Sequence, residues 1–141
     1  MKFWDSSAIV PLILDEDSSD YCAEVLSDDP DMLIWCLSGV EVVSALCRRV
    51  REGGLGEDEL RRARERLRAL LDTVYEVSSI ERVRSRALRL LEVHPLRAAD
   101  ACQLAAALVG TREDPQRLAF LCFDRRLERA ALKEGFVVNP A

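Results

Sequence analysis

The 141 residues fit one domain, residues 1–141, large enough to bury about two thirds of the unfolded chain's surface in a single core. With 49% hydrophobic and 32% charged residues the composition excludes disorder, and the longest apolar runs, residues 8–14 and 104–109, are too short to span a bilayer. The net charge of −5 conceals an asymmetry: residues 1–47 hold ten acids and one base, Lys2, whereas residues 48–97 hold thirteen arginines against nine acids. That distribution suits an acidic pocket beside arginines able to meet a phosphate backbone. Taken alone, Arg61, Arg62, Arg64, Arg66 and Arg68 read more simply as the solvated face of an amphipathic helix.

In chain order, residues 2–4 are a short apolar lead into Asp5, and residues 6–14 read as a first helix with Pro11 bending it. Acids between positions 15 and 20 mark a loop, followed by a helix to about Ser27 and a short buried strand at 32–36. Ser38 opens a helix that runs to about Glu52, where Gly53 and Gly54 stop it. Residues 57–72 put Leu60, Ala63, Leu67, Leu70 and Leu71 on one helical face; 73–77 reads as a strand, and 78–93 as a helix ended by Pro95. Residues 98–109 are apolar nearly all round, which predicts a helix buried on most sides. A strand at 118–123, a helix at 124–134 closed by Gly135 and a last strand at 136–138 complete the chain. Alternating strands and helices predict an α/β fold with a mainly parallel sheet covered on both faces.

The N-terminal apolar run contains acids and lacks a small-residue cleavage site, so it does not read as a signal peptide, and a cytoplasmic protein without membrane contact is expected. Five cysteines, at 22, 36, 47, 102 and 122, form no CxxC pair and read as reduced core residues. The single histidine, His94 beside Pro95, reads as a loop residue and leaves little material for a zinc site or a Ser-His-Asp triad.

Four acids stand where apolar stretches give way to helices: Asp5, Glu41, Asp100 and Asp124. Each has a local explanation. Asp5 and Asp124 suit helix N-caps, Glu41 lies three residues after Ser38 as in a capping box, and Asp100 complements the positive end of a helix dipole. Taken together, they should converge, because ligands of parallel sheets bind at the carboxyl ends of the strands and helix starts face the same edge. Carboxylates in apolar surroundings are costly unless their charge is compensated, and a divalent cation is such a compensation.

The ordered motifs DSSAIV, GVEVVSAL, AADACQLAAA and FLCFDRRL span the whole chain, which resembles PIN-domain proteins, most of all the VapC-type toxin ribonucleases of toxin–antitoxin systems. The resemblance implies a three-layer α/β/α fold with Asp5, Glu41, Asp100 and Asp124 as the catalytic acids. Asp5, Asp100 and Asp124 would be metal ligands, Glu41 a ligand or water-orienting base, and Ser6 a supporting hydroxyl. It further implies Mg²⁺ or Mn²⁺, hydrolysis of RNA phosphodiester bonds by metal-activated water, a homodimer and a cognate VapB-type antitoxin. One departure is Cys122, two residues before the last acid, where the family usually carries Thr or Ser. Arg48, Arg49, Arg51, Arg125 and Arg126 are the candidate RNA contacts. A non-catalytic PIN-like module binding protein or RNA is the alternative; a phosphate-transferring enzyme with Asp5 as nucleophile lacks both a second Asp two residues on and a glycine-rich phosphate loop.

Overall fold

Strand β1 (Lys2–Trp4) forms the middle of the computed structural model, which describes residues 1–140. It is followed by α1 (Ser6–Ile13), α2 (Ser19–Asp28), β2 (Met32–Trp35), α3 (Ser38–Arg51), α4 (Glu57–Leu71), β3 (Tyr75–Val77), α5 (Ile80–Val93), α6 (Ala98–Gly110), β4 (Phe120–Leu121) and α7 (Arg125–Lys133). The sheet order is β3-β2-β1-β4 and every pairing is parallel, with Phe3 opposite both Leu33 and Phe120, and Leu33 opposite Tyr75.

Parallel pairing forces each connection to cross a face of the sheet, and such crossovers share one hand. The first two step one way from β1, through α1 to α4; the third returns past β1 through α5 and α6. Reversing direction at constant hand puts the two sets of helices on opposite faces. The core divides accordingly: Trp4, Ile34 and Leu121 pack with α1 to α4, while Phe3, Leu33, Trp35, Val77 and Phe120 pack with α5 to α7. Successive strand residues serve alternate layers, and burial on both faces is why these strands are apolar without interruption. The three-layer α/β/α arrangement agrees with the reading of the sequence.

Helix α6 is the most enclosed element, with Ala101, Gln103 and residues 104–108 all buried. At its end Gly110 lies so close to the sheet that a Cβ there would meet Leu33 Cδ2 at 2.9 Å and Val77 Cγ2 at 3.0 Å.

Several local expectations change. The anticipated strand at 136–138 is reduced to a single bridge between Val138 and Phe120, because Asn139 turns away at φ 45°. Ser38 forms no capping box with Glu41: Leu37 occupies the cap position and the Ser38 hydroxyl faces Gln103. Helix α5 starts at Ile80 rather than Ser78. His94 ends α5 but is buried, with Nε2 2.7 Å from Glu134 Oε1, so the loop histidine joins α5 to the end of α7. All five cysteines are free thiols, Cys22 and Cys122 fully buried and the others half-buried. No helix among the described residues is long and apolar enough to cross a membrane.

Overpacking a filled contact of this kind costs about 1–3 kcal/mol. Gly110→Val should therefore lower the melting temperature by several degrees while leaving the far-ultraviolet circular dichroism native; an unchanged melting temperature would show that α6 has room to move off the sheet.

Candidate functional site

The crossover direction changes between β1 and β4, and at such a switch point the flanking helices diverge beyond the strand ends and leave a crevice. A cleft of about 670 Å³ opens there, lined by Glu41, Asp100 and Asp124 together with Ser6, Ser7, Val40, Phe123, Arg48, Arg49 and Arg97. Asp5 lies beneath it, at the end of β1, only 3% exposed.

Each carboxylate is placed by its element. Asp5 caps α1: its Oδ2 accepts the Ser7 backbone N–H at 3.0 Å and the Ser7 hydroxyl, while its own N–H donates to Leu121 O across the strand pair. Asp124 caps α7 by accepting the Leu127 N–H on Oδ1 at 2.9 Å. Asp100 stands in the first turn of α6 and Glu41 in the first turn of α3. Gln103, one turn after Asp100 and fully buried, donates through Nε2 to Glu41 Oε2 and to the Ser38 hydroxyl. Each capping or bonded acid thus commits one oxygen to the protein and retains another.

The electrostatics follow from this packing. Desolvation pushes Asp5 up to about 6; the Ser7 hydrogen bonds oppose the shift and the charge of Asp100 adds to it. Glu41 is pushed up to about 7, again mainly by desolvation, with Asp5 and Asp100 adding and Gln103 opposing. Asp100 is raised by desolvation and by Asp124, against the pull of Arg97 and Arg126. Burial is thus the main cause at Asp5, Glu41 and Asp100, and the charge of a neighbouring acid adds to it at each.

The donor set is made of hard oxygens only, which suits Mg²⁺ or Mn²⁺ rather than a thiolate- or imidazole-bound ion. Among the described residues no three His, Cys, Asp or Glu side chains are gathered as a ready-made metal cage. The arrangement fits an ion that retains several waters and takes one or two carboxylates directly, as Mg²⁺ does.

The remaining expected residues separate. Ser7 donates its hydroxyl to Asp5, and its Oγ also accepts the Phe123 N–H at 2.9 Å and so ties the turn after β1 to the loop after β4; Ser6 lines the cleft. Arg48 and Arg49 line the cleft, but Arg49 is paired with Glu16. Arg51 and Arg125 are exposed and outside the lining; Arg126, also exposed, reaches the cleft through its field at Asp100. Cys122 points into the core with Sγ 3.9 Å from Asp124 O, its thiol pKa raised by burial, and Asn139 brackets its backbone N–H and C=O. Sequence reasoning passed over Gln103, Arg97 and Phe123. Gln103 did leave a signal, a lone amide in the apolar stretch LAAAL and its surroundings, where a buried polar group needs a partner.

Comparison with known proteins agrees with this architecture. Residues 2–133 match the family model described as PIN domain. The chain is 34% identical over 142 aligned positions to Ribonuclease VapC45 of Mycobacterium tuberculosis strain CDC 1551 and to Ribonuclease VapC49 of strain H37Rv, covering all of this chain and 96% of each relative. In fold it is similar to a chain solved in a toxin–antitoxin complex from Klebsiella pneumoniae, with a TM-score of 0.60, 17% identity, and 88% and 87% of the two chains covered. The extent of the family match and the full-length identity to its ribonucleases establish that this chain belongs to the PIN domain family.

Proposed function

We propose that the chain is a metal-dependent endoribonuclease, the toxin of a VapBC-type pair. The observation that carries this reading is the gathering of Glu41, Asp100 and Asp124 in one cleft at the switch point of the sheet, above the buried Asp5. Two relatives named as ribonucleases, aligned along the whole chain, support the substrate class. The fold shared with a toxin–antitoxin complex is consistent with a VapB-type antitoxin as partner.

In this reading Asp5, Asp100 and Asp124 would hold Mg²⁺ or Mn²⁺. When bound, the ion supplies positive charge that polarises the phosphate and lowers the pKa of the attacking water. Glu41 receives the proton: Gln103 holds one of its oxygens, the residue lines the cleft, and a carboxylate near 7 is poised to exchange protons at working pH. Arg48 and Arg97 line the cleft without a carboxylate ion-pair partner among the described residues and meet the RNA backbone, with Arg49 available once released from Glu16. Ser6, which lines the cleft from the turn after β1, is the supporting hydroxyl. A homodimer is part of the reading, and the exposed Ile80, Leu88 and Leu91 on α5 supply an apolar face for it.

The direct test is cleavage of a mixed RNA pool by the purified chain with Mg²⁺ or Mn²⁺ and with EDTA, beside Asp100→Asn and Glu41→Gln prepared identically. Wild type should cut only with metal, Asp100→Asn should fall to background, and Glu41→Gln should be about 10²- to 10⁴-fold slower. Equal cleavage by all three would identify a contaminating nuclease and remove the assignment.

Stability supplies a second test. An acid whose pKa is higher in the folded chain contributes stability that is complete below its unfolded value and lost as pH rises through its folded value. Asp5, raised from 3.8 to about 6, and Glu41, raised from 4.5 to about 7, should thus destabilise the metal-free chain progressively between about pH 4 and pH 7. Asp5→Asn keeps the cap and removes the charge, so its melting temperature should exceed wild type by a margin that grows over this window. Mg²⁺ should raise wild type more than the variant at pH 8. A margin that is flat or shrinks with pH would show that Asp5 is not held at a raised pKa.

A further inference from the structure

We infer that Phe123 is a stacking platform for an unpaired base beside the phosphodiester held at the carboxylates. The inference rests on the nuclease reading above and adds to it a residue that engages the base. Phe123 is the only aromatic among the described residues lining the cleft, and it is 39% exposed, although Phe3, Phe120 and Phe136 are all buried. Leaving a phenyl ring in water forgoes the burial its fold-mates achieve, and its position immediately before Asp124 puts the ring beside the acids.

The ring is held as well as exposed. The Phe123 N–H donates to Ser7 Oγ, the hydroxyl that itself donates to Asp5, so its backbone is fixed to the buried carboxylate through one atom. Tyr21 meets the ring edge to face, with centroids 6.2 Å apart and planes at 73°, and the Tyr21 hydroxyl is anchored to Pro140 O at 2.9 Å. An edge-to-face neighbour touches either one face or an edge, so at least one face of Phe123 is left uncovered by Tyr21.

The groups around this ring divide the tasks of binding a nucleotide. Carboxylates and arginines address the phosphate; only Phe123 offers a π-face to the base. Having no donor or acceptor in its side chain, it takes any base by stacking and reads no base edge. A base inside a duplex has both faces occupied by its neighbours, so the platform selects unpaired or splayed-out nucleotides.

The test is a binding cycle in which no bond is cut. Full-length wild type, Phe123→Leu and Phe123→Trp are titrated, with Ca²⁺ replacing Mg²⁺, against fluorescently labelled oligoadenylate and against an abasic ribose-phosphate oligomer of the same length. Base–aromatic stacking predicts that Phe123→Leu weakens oligoadenylate binding by roughly 5- to 100-fold and leaves the abasic oligomer unchanged, with Phe123→Trp close to wild type. Equal losses on both oligomers, no loss on either, or no binding of oligoadenylate by wild type would each overturn the platform. Cleavage in Mg²⁺ is measured in parallel: base-dependent binding without cutting would defeat the nuclease reading and leave the platform standing.

Discussion

The constraint on which the rest of this molecule depends is the burial of Asp5 at the end of the central strand. Among the described residues no cation is paired with it, and the compensation it receives comes from dipoles: the Ser7 amide, the Ser7 hydroxyl and the start of α1. These lower its pKa, yet desolvation and Asp100 prevail. Neighbouring acids repeat the pattern with weaker burial, although Arg97 and Arg126 offset part of it at Asp100. A cation that bound in the cleft would therefore stabilise the fold.

Local capping and service in a site are often posed as competing explanations of an acid at a helix start. Here they coexist. Asp5 gives Oδ2 to Ser7, and Asp124 gives Oδ1 to Leu127, leaving one oxygen of each outside the capping bond. Capping also fixes the side-chain rotamer, so the bond that terminates the helix aims the remaining oxygen. Glu41 reaches the same condition by another route. The Ser38–Glu41 spacing suits a capping box, but Gln103 from α6 takes both partners. A side-chain amide brought by a tertiary contact from α6 prevailed over a local motif, which no reading of spacing along one segment could foresee.

That difference separates what was legible in the sequence from what was not. Strands buried on both faces write themselves as apolar runs, and α6 wrote itself as an all-round apolar helix, because burial acts on every residue of the segment. Features made by partners distant in sequence left fainter marks. His94 looked like a loop residue until Glu134 was placed against it, and the extension at 136–138 failed because Asn139 turned the chain to clasp Cys122. In the arginine-rich stretch Arg61, Arg62, Arg64, Arg66 and Arg68 are exposed on α4, as the helical pattern predicts, whereas Arg48, Arg49 and Arg97 line the acidic cleft and Arg82, Arg86 and Arg89 a separate groove of about 530 Å³ between α5 and the turn after α6.

Strand order explains why the acids meet at all. With β1 flanked by β2 and β4, the chain reverses its crossover direction beside the strand that carries Asp5, and α3 and α6 approach that point from opposite faces. Glu41 and Asp100 are 59 positions apart in sequence, yet each lies in the first turn of its helix, so both arrive at the same sheet edge. Ser7 then closes the arrangement, joining the β1 turn to the β4 loop through one hydroxyl that donates to Asp5 and accepts from Phe123. Removing that hydroxyl would loosen two loops at once, whereas Ser6, one residue earlier, makes no such bridge. The geometry of the site is therefore set less by any single acid than by the short links that prevent the acids from separating under their own repulsion.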